Sequence, residues 1–83
     1  MQITLKLYAT LGQYLPEHAP GHAMDIDVDS SATPFNIIDQ FRVPRESAHL
    51  VLLNGVYVSP ADREQPVLKD GDTLAIWPPV AGG

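Results

Sequence analysis

Only one stretch of this chain makes a convincing helix, and it is about two turns long. Thr33 suits an N-cap and Pro34 the first helical position. Phe35, Ile38 and Phe41 then recur at a spacing of three, with Ile37 beside them. Pro44 cannot continue the helix, which therefore ends near Phe41 or Arg42. A helix this short is marginal alone and must be held against a sheet. The rest of the chain has to supply that sheet.

It does so in period-two segments. In residues 1–8, Ile3, Leu5 and Leu7 alternate with Gln2, Thr4 and Lys6, as in a half-buried strand. Residues 9–15 can add one or two helical turns with Leu11 and Leu15 on one face. Pro16, Pro20 and Gly21 then make a loop up to Ala23. Residues 24–29 alternate again, with Met24, Ile26 and Val28 inward and Asp25, Asp27 and Asp29 outward, as a strand hairpinned on the first. Residues 49–53 and 56–59 flank Asn54-Gly55, a strong hairpin signal because a type I′ turn needs positive φ at both central positions. Residues 60–69 read as a polar loop holding Pro60 and Pro66, and Asp70-Gly71-Asp72 as a tight turn. Residues 73–77 form the last strand, with Leu74 and Ile76 toward the core and Trp77 either partly exposed beside the tail or a core lid over the helix. This order predicts an α+β fold with a mixed sheet of about five strands and the helix across one face, the β-grasp arrangement. Residues 1–77 form the domain and residues 78–83 an extended tail.

A chain of 83 residues has room for one domain. With 45 % hydrophobic and 18 % charged residues it has the composition of a folded globular chain. The absence of cysteine removes disulfides, thiolate nucleophiles and cysteine-type zinc sites. A formal charge of −5 argues against nucleic acid as a partner, because phosphate binding needs excess Lys and Arg. Apolar runs such as residues 50–53 are far below the roughly 20 residues of a membrane span. Residues 1–8 lack the basic flank and long apolar stretch of a signal peptide. The expectation is a soluble cytoplasmic domain.

Side chains that could carry chemistry are few. Asp25, Asp27 and Asp29 imitate the opening of a calcium loop, but Ser30 stands where the glycine is required and Asn36 where the glutamate is. They read instead as a solvated strand face. His18 and His22 have metal-pair spacing, yet Pro20 and Gly21 between them leave no helix to present it. His49 opens a strand without a partner. Phe35, Ile38 and Phe41 read as core rather than a ligand box. No nucleophile setting and no phosphate-cradling glycine run is present, so the chain reads as a substrate of other enzymes, with no metal and no cofactor of its own.

The C-terminus is the most informative segment: Trp77-Pro78-Pro79-Val80-Ala81-Gly82-Gly83. Two prolines favour an extended backbone outside the sheet. Beyond Val80 the side chains shrink to a methyl at Ala81 and to nothing at Gly82 and Gly83, a thin tail fit for a narrow channel. Terminal glycine pairs arise by chance in roughly 0.5 % of chains, at a glycine frequency near 7 %. The Pro-Pro spacer and the strand before it are what give this pair meaning. Its reactive group would be the α-carboxylate of Gly83. A carboxylate acylates poorly until its oxygen becomes a good leaving group, so adenylation by a partner is the expected step. A sulfur nucleophile would then displace AMP and leave a thiocarboxylate. An amine acceptor would give a conjugate.

This ending, with the preceding residues 69–76 (Lys-Asp-Gly-Asp-Thr-Leu-Ala-Ile), resembles that of the ubiquitin-like sulfur carriers. These are the small subunits of molybdopterin synthase and the thiamine-biosynthesis sulfur carriers. Residues 51–58 (Val-Leu-Leu-Asn-Gly-Val-Tyr-Val) resemble their central hairpin, and residues 8–15 (Tyr-Ala-Thr-Leu-Gly-Gln-Tyr-Leu) the segment after their first strand. The Pro-Pro-Val-Ala-Gly-Gly ending is nearer the molybdopterin branch. Trp77 replaces that branch's more usual phenylalanine, and residues 42–48 are shorter than usual there. The resemblance implies a β-grasp fold and no catalysis by the chain itself. It also implies adenylation of Gly83 by an E1-like enzyme using ATP, and sulfur from a sulfur-donating protein. In the molybdopterin branch the partner is a synthase large subunit that receives the tail. The competing expectation is a ubiquitin-like modifier joined through Gly83 to lysines of other proteins. In either case an exposed sheet face beside the tail should dock the activating enzyme, with Trp77, Pro78, Pro79 and Val80 at its margin and Leu52 and Tyr57 on neighbouring strands.

Overall fold

The computed structural model of the chain describes residues 1–16 and 20–79. Strand β1 (Gln2–Leu7) turns Ile3, Leu5 and Leu7 inward, each essentially without solvent contact. Strand β2 (Ala23–Asp27) pairs with it antiparallel, Ile3 opposite Ile26 and Leu5 opposite Met24. Helix α1 (Pro34–Gln40) follows, then β3 (Leu50–Leu53), β4 (Val56–Tyr57) and β5 (Thr73–Trp77). The five strands form one mixed sheet in the order β2-β1-β5-β3-β4. β1 and β5 run parallel at its centre, and every other pairing is antiparallel. This is the β-grasp arrangement that the segment pattern predicts.

The core lies between one face of this sheet and α1. Leu5, Leu7, Val51, Leu74 and Ile76 meet Ile37 and Ile38 of the helix there. Burying each such side chain contributes about 1.5–3 kcal/mol. The helix is started by a reciprocal cap. Thr33 Oγ1 accepts from the Asn36 amide at 3.1 Å, and Asn36 Oδ1 accepts from the Thr33 amide at 2.9 Å. Asn54 and Gly55 both have positive φ, 51° and 85°, as the β3–β4 turn requires. Arg45 donates two bonds to the Asp39 carboxylate, which holds that carboxyl below the usual range. The Ser31 amide does the same for Asp29.

Several sequence expectations need correction. The buried face of α1 is Pro34, Ile37 and Ile38, whereas Phe35 and Phe41 are only half-buried. A helix beginning at Pro34 repeats inward at 34, 37, 38 and 41, which turns Phe35 to the margin. There its ring lies 4.1 Å beneath the Arg45 guanidinium. Residues 9–15 contain the tighter 3-10 form over Ala9–Tyr14, which still buries Leu11. Met24 faces the core side but lies on the edge strand and is 36 % exposed. β2 ends at Asp27, not residue 29: Val28 still exchanges two bonds with Met1, where its partner strand begins, and the Asp29 side chain accepts from Ser31 beyond it. β3 begins at Leu50 rather than His49, and β4 stops at Tyr57 rather than residue 59. At both ends one ladder bond persists, from the His49 amide to the Trp77 carbonyl and from the Val58 amide to the Val51 carbonyl. The carbonyls of Ala48, His49 and Val58 accept from a single side chain, Arg63. No described helix is long and apolar enough to cross a membrane.

Candidate functional site

The segment that leads into the tail is built by β5 and its two neighbours. The Ile76 carbonyl accepts from the Tyr8 amide and the Trp77 carbonyl from the His49 amide, both at 3.0 Å. Pro78 and Pro79 follow. Having no N–H, they cannot donate to the ladder, and the chain leaves the sheet. Pro78 is half-buried and Pro79 exposed. Val80, Ala81, Gly82 and Gly83, named from the sequence as tail and reactive terminus, lie outside the described residues.

Leu74 and Ile76 are fully buried in the core, so strand alternation turns Trp77 to the outer face of the sheet, away from α1. There its ring stacks on that of Tyr8, with centroids 4.0 Å apart and planes 1° from parallel. Pairing extends this surface. Leu50 lies opposite Trp77, Leu52 opposite Ala75, and Tyr57 opposite Leu52. Tyr8, Trp77, Leu50, Ala75, Leu52 and Tyr57 therefore share one side of β5, β3 and β4, beside the tail exit. Leu50 is 36 % and Tyr57 55 % exposed. Trp77 and Leu52 are half-buried, whereas Ala75 is too small to stand clear of its neighbours and is buried. On β1 and β2 the same face turns polar: Lys6 pairs with Ala75, Thr4 with Thr73, and Asp25 accepts from the Thr4 hydroxyl at 2.7 Å. The outer face is thus apolar where the tail begins and charged where it does not.

The arrangement offers contact area and a directed exit, not reacting side chains. Among the described residues, no three His, Asp or Glu groups come together to hold a metal ion. Asp25 and Asp27 alternate outward on β2, with Asp29 just beyond it. His22 has its ring packed over Gly12, and His18 lies outside the described residues. A shallow groove of about 360 Å³ opens at the far end of the sheet, lined in part by Leu53, Val56, Val58, Val67, Asp62 and Lys69. It is remote from Trp77, because the Asn54 turn lies at the opposite end of β3 from Leu50. Sequence reasoning singled out Trp77, Leu52 and Tyr57 for this face but missed Tyr8 as the partner of Trp77. It also missed Arg63, which sits in a loop without periodicity and is 5 % exposed.

The ThiS family model matches residues 8–83. No curated protein matches the chain. Among solved structures, the HVO 2177 protein of Haloferax volcanii is similar at a TM-score of 0.78 and 25 % identity, over 100 % of this chain and 87 % of that one. SAMP1, a small archaeal modifier protein of the same organism, is similar at 0.67 and 27 % identity over 100 % of both chains. A complex of subunits 1 and 2 of the molybdopterin-converting factor from Helicobacter pylori contains a chain similar at 0.61 and 20 % identity, again over 100 % of both.

Proposed function

Because the chain belongs to the ThiS family, we propose that it is a sulfur carrier, with residues 78–83 as its working tail and Gly83 as its reactive terminus. The observation that carries this reading is the exit of the chain at Trp77-Pro78-Pro79, at the margin of an apolar sheet face. In the proposed sequence, the Gly83 carboxylate attacks the α-phosphorus of ATP on an E1-like enzyme and pyrophosphate leaves. A hydrosulfide-level nucleophile from a sulfur-donating protein then adds to the acyl carbon. AMP leaves with the bonding electron pair, and Gly83 retains a thiocarboxylate. ATP belongs to the activating enzyme's site and not to this chain. Gly82 and Ala81 keep the tail thin, while Trp77, Pro78, Pro79 and Val80 form the edge of the docked surface. On this reading the protein works in the cytoplasm, as a carrier rather than an enzyme. Likeness to a chain solved in complex with a second converting-factor subunit supports a molybdopterin-synthase-type large subunit as the acceptor.

Likeness to small archaeal modifier protein 1 favours a second reading, a modifier joined through Gly83 to lysines of other proteins. Mass spectrometry of the protein isolated from its host decides between them. Replacement of one terminal oxygen by sulfur supports the carrier. After tryptic digestion, the peptide of residues 70–83 joined through Gly83 to lysines of other proteins supports the modifier, and the absence of both products would overturn both readings.

A further inference from the structure

Arg63 is a buried cation that has no carboxylate partner among the described residues. Its guanidinium instead gathers three backbone carbonyls: Nε donates to Val58 at 3.0 Å, and the two terminal nitrogens to Ala48 at 3.0 Å and His49 at 3.2 Å. No apolar side chain replaces it without leaving those acceptors unpaired. Two of the three belong to consecutive residues just before β3, and the second of these is His49. The His49 amide is the donor to the Trp77 carbonyl, the pairing that precedes Pro78. One peptide segment is therefore gripped from Arg63 on its carbonyl side and holds Trp77 on its amide side. The same guanidinium lies 5.8 Å from the ring of Tyr57, at the other end of the outer apolar face.

We propose that Arg63 is a positioning residue that fixes the exit of the tail relative to the docking face. The proposal rests on the carrier-or-modifier reading for its consequence in activation, but not for its structural part. Freed from Arg63, residues 48–49 would release the Trp77 carbonyl, and the tail would leave the sheet over a range of directions. The activating enzyme would then meet a correctly aimed tail less often, and chemistry after docking would be unchanged.

The test compares the unmodified chain with Arg63→Lys, which keeps the charge but loses the fork, and Arg63→Gln. In the unmodified protein the His49 amide should exchange with solvent as slowly as core amides such as Val51. Exchange at His49 as fast as at the exposed Gly55 turn overturns the proposal without any variant. In each variant that folds, His49 exchange should accelerate at least roughly tenfold relative to Ile3 and Ile26 on the far strands. Emission of Trp77, the single tryptophan, should shift to the red. In an adenylation assay the KM for the carrier should rise roughly tenfold with kcat unchanged. Equal acceleration at His49, Ile3 and Ile26 would mean general destabilisation and overturn the proposal, as would an unchanged His49. Failure of the unmodified chain to be adenylated would count against the functional reading, while the exchange and emission data would still decide the role of Arg63.

Discussion

At the scale of single residues, the tail and its first aromatic neighbour answer to different physics. Deleting Gly83 withdraws the carboxylate proposed to react by about 3.5 Å, while the core side chains all lie upstream of it. Adenylation should be lost and the thermal transition unchanged, as an activation assay and a melting curve will show. If the proposed tail enters a narrow channel of the activating enzyme, Gly82→Val should act likewise, through its branched Cβ. Trp77 is half-buried and stacked on Tyr8. An aromatic pair is worth about 0.5–1.5 kcal/mol beyond its buried area, and full burial of a tryptophan about 3–5 kcal/mol on truncation to alanine. Trp77→Ala should therefore cost less than about 3 kcal/mol by denaturant titration and weaken partner binding by roughly tenfold or more. A larger loss of stability with intact binding would assign Trp77 to the core.

Among the elements, the β3–β4 turn is tied to the start of β5 through a single side chain. Asn54 Nδ2 donates to Asp72 at 2.8 Å, and its Oδ1 accepts from the Thr73 amide at 2.9 Å, while its own φ is 51°. Asn54→Ala removes both bonds and puts alanine in a left-handed conformation, so a loss of about 1–3 kcal/mol in a urea titration is expected. That this turn exists was legible from Asn-Gly between two apolar runs. So were the cap at Thr33 and the inward residues of β1 and β5, because alternation and capping are local rules. The ends of β3 and β4 were not legible. The carbonyls just outside them are taken up by Arg63, 14 residues from His49 in sequence, and neither propensity nor periodicity encodes a side chain that reaches backbone across such a separation. The Tyr8–Trp77 stack escaped for the same reason, since the parallel pairing of β1 and β5 is what brings it together. The tail is the reverse case: the chemistry proposed for it comes from its composition, and the structure supplies only the place from which it departs, after Trp77.

At the scale of the whole molecule the two faces of the sheet divide the labour, and substitutions on each should separate stability from recognition. Leu74→Ala, in the core, should cost about 2–5 kcal/mol. Leu52→Arg, on the half-buried outer face, should lower stability by less than about 2 kcal/mol and weaken docking of the activating enzyme, read by calorimetry and by an adenylation KM. Equal effects on both quantities from both variants would refute the division. The central position of β1 beside β5 has a mechanical meaning as well. The strand that carries the tail runs parallel to the first strand, bonded from Thr4 opposite Thr73 to Leu7 opposite Ile76. A pull on the tail against the chain's beginning slides these strands past one another, so their bonds bear the load together rather than opening in turn like a zip. In a single-molecule stretching experiment, pulling through the tail and Met1 should require a larger force than pulling β2 sideways from the sheet edge. A partner that draws on the tail would in this way load the β1–β5 bonds in shear, and the domain would follow its tail intact.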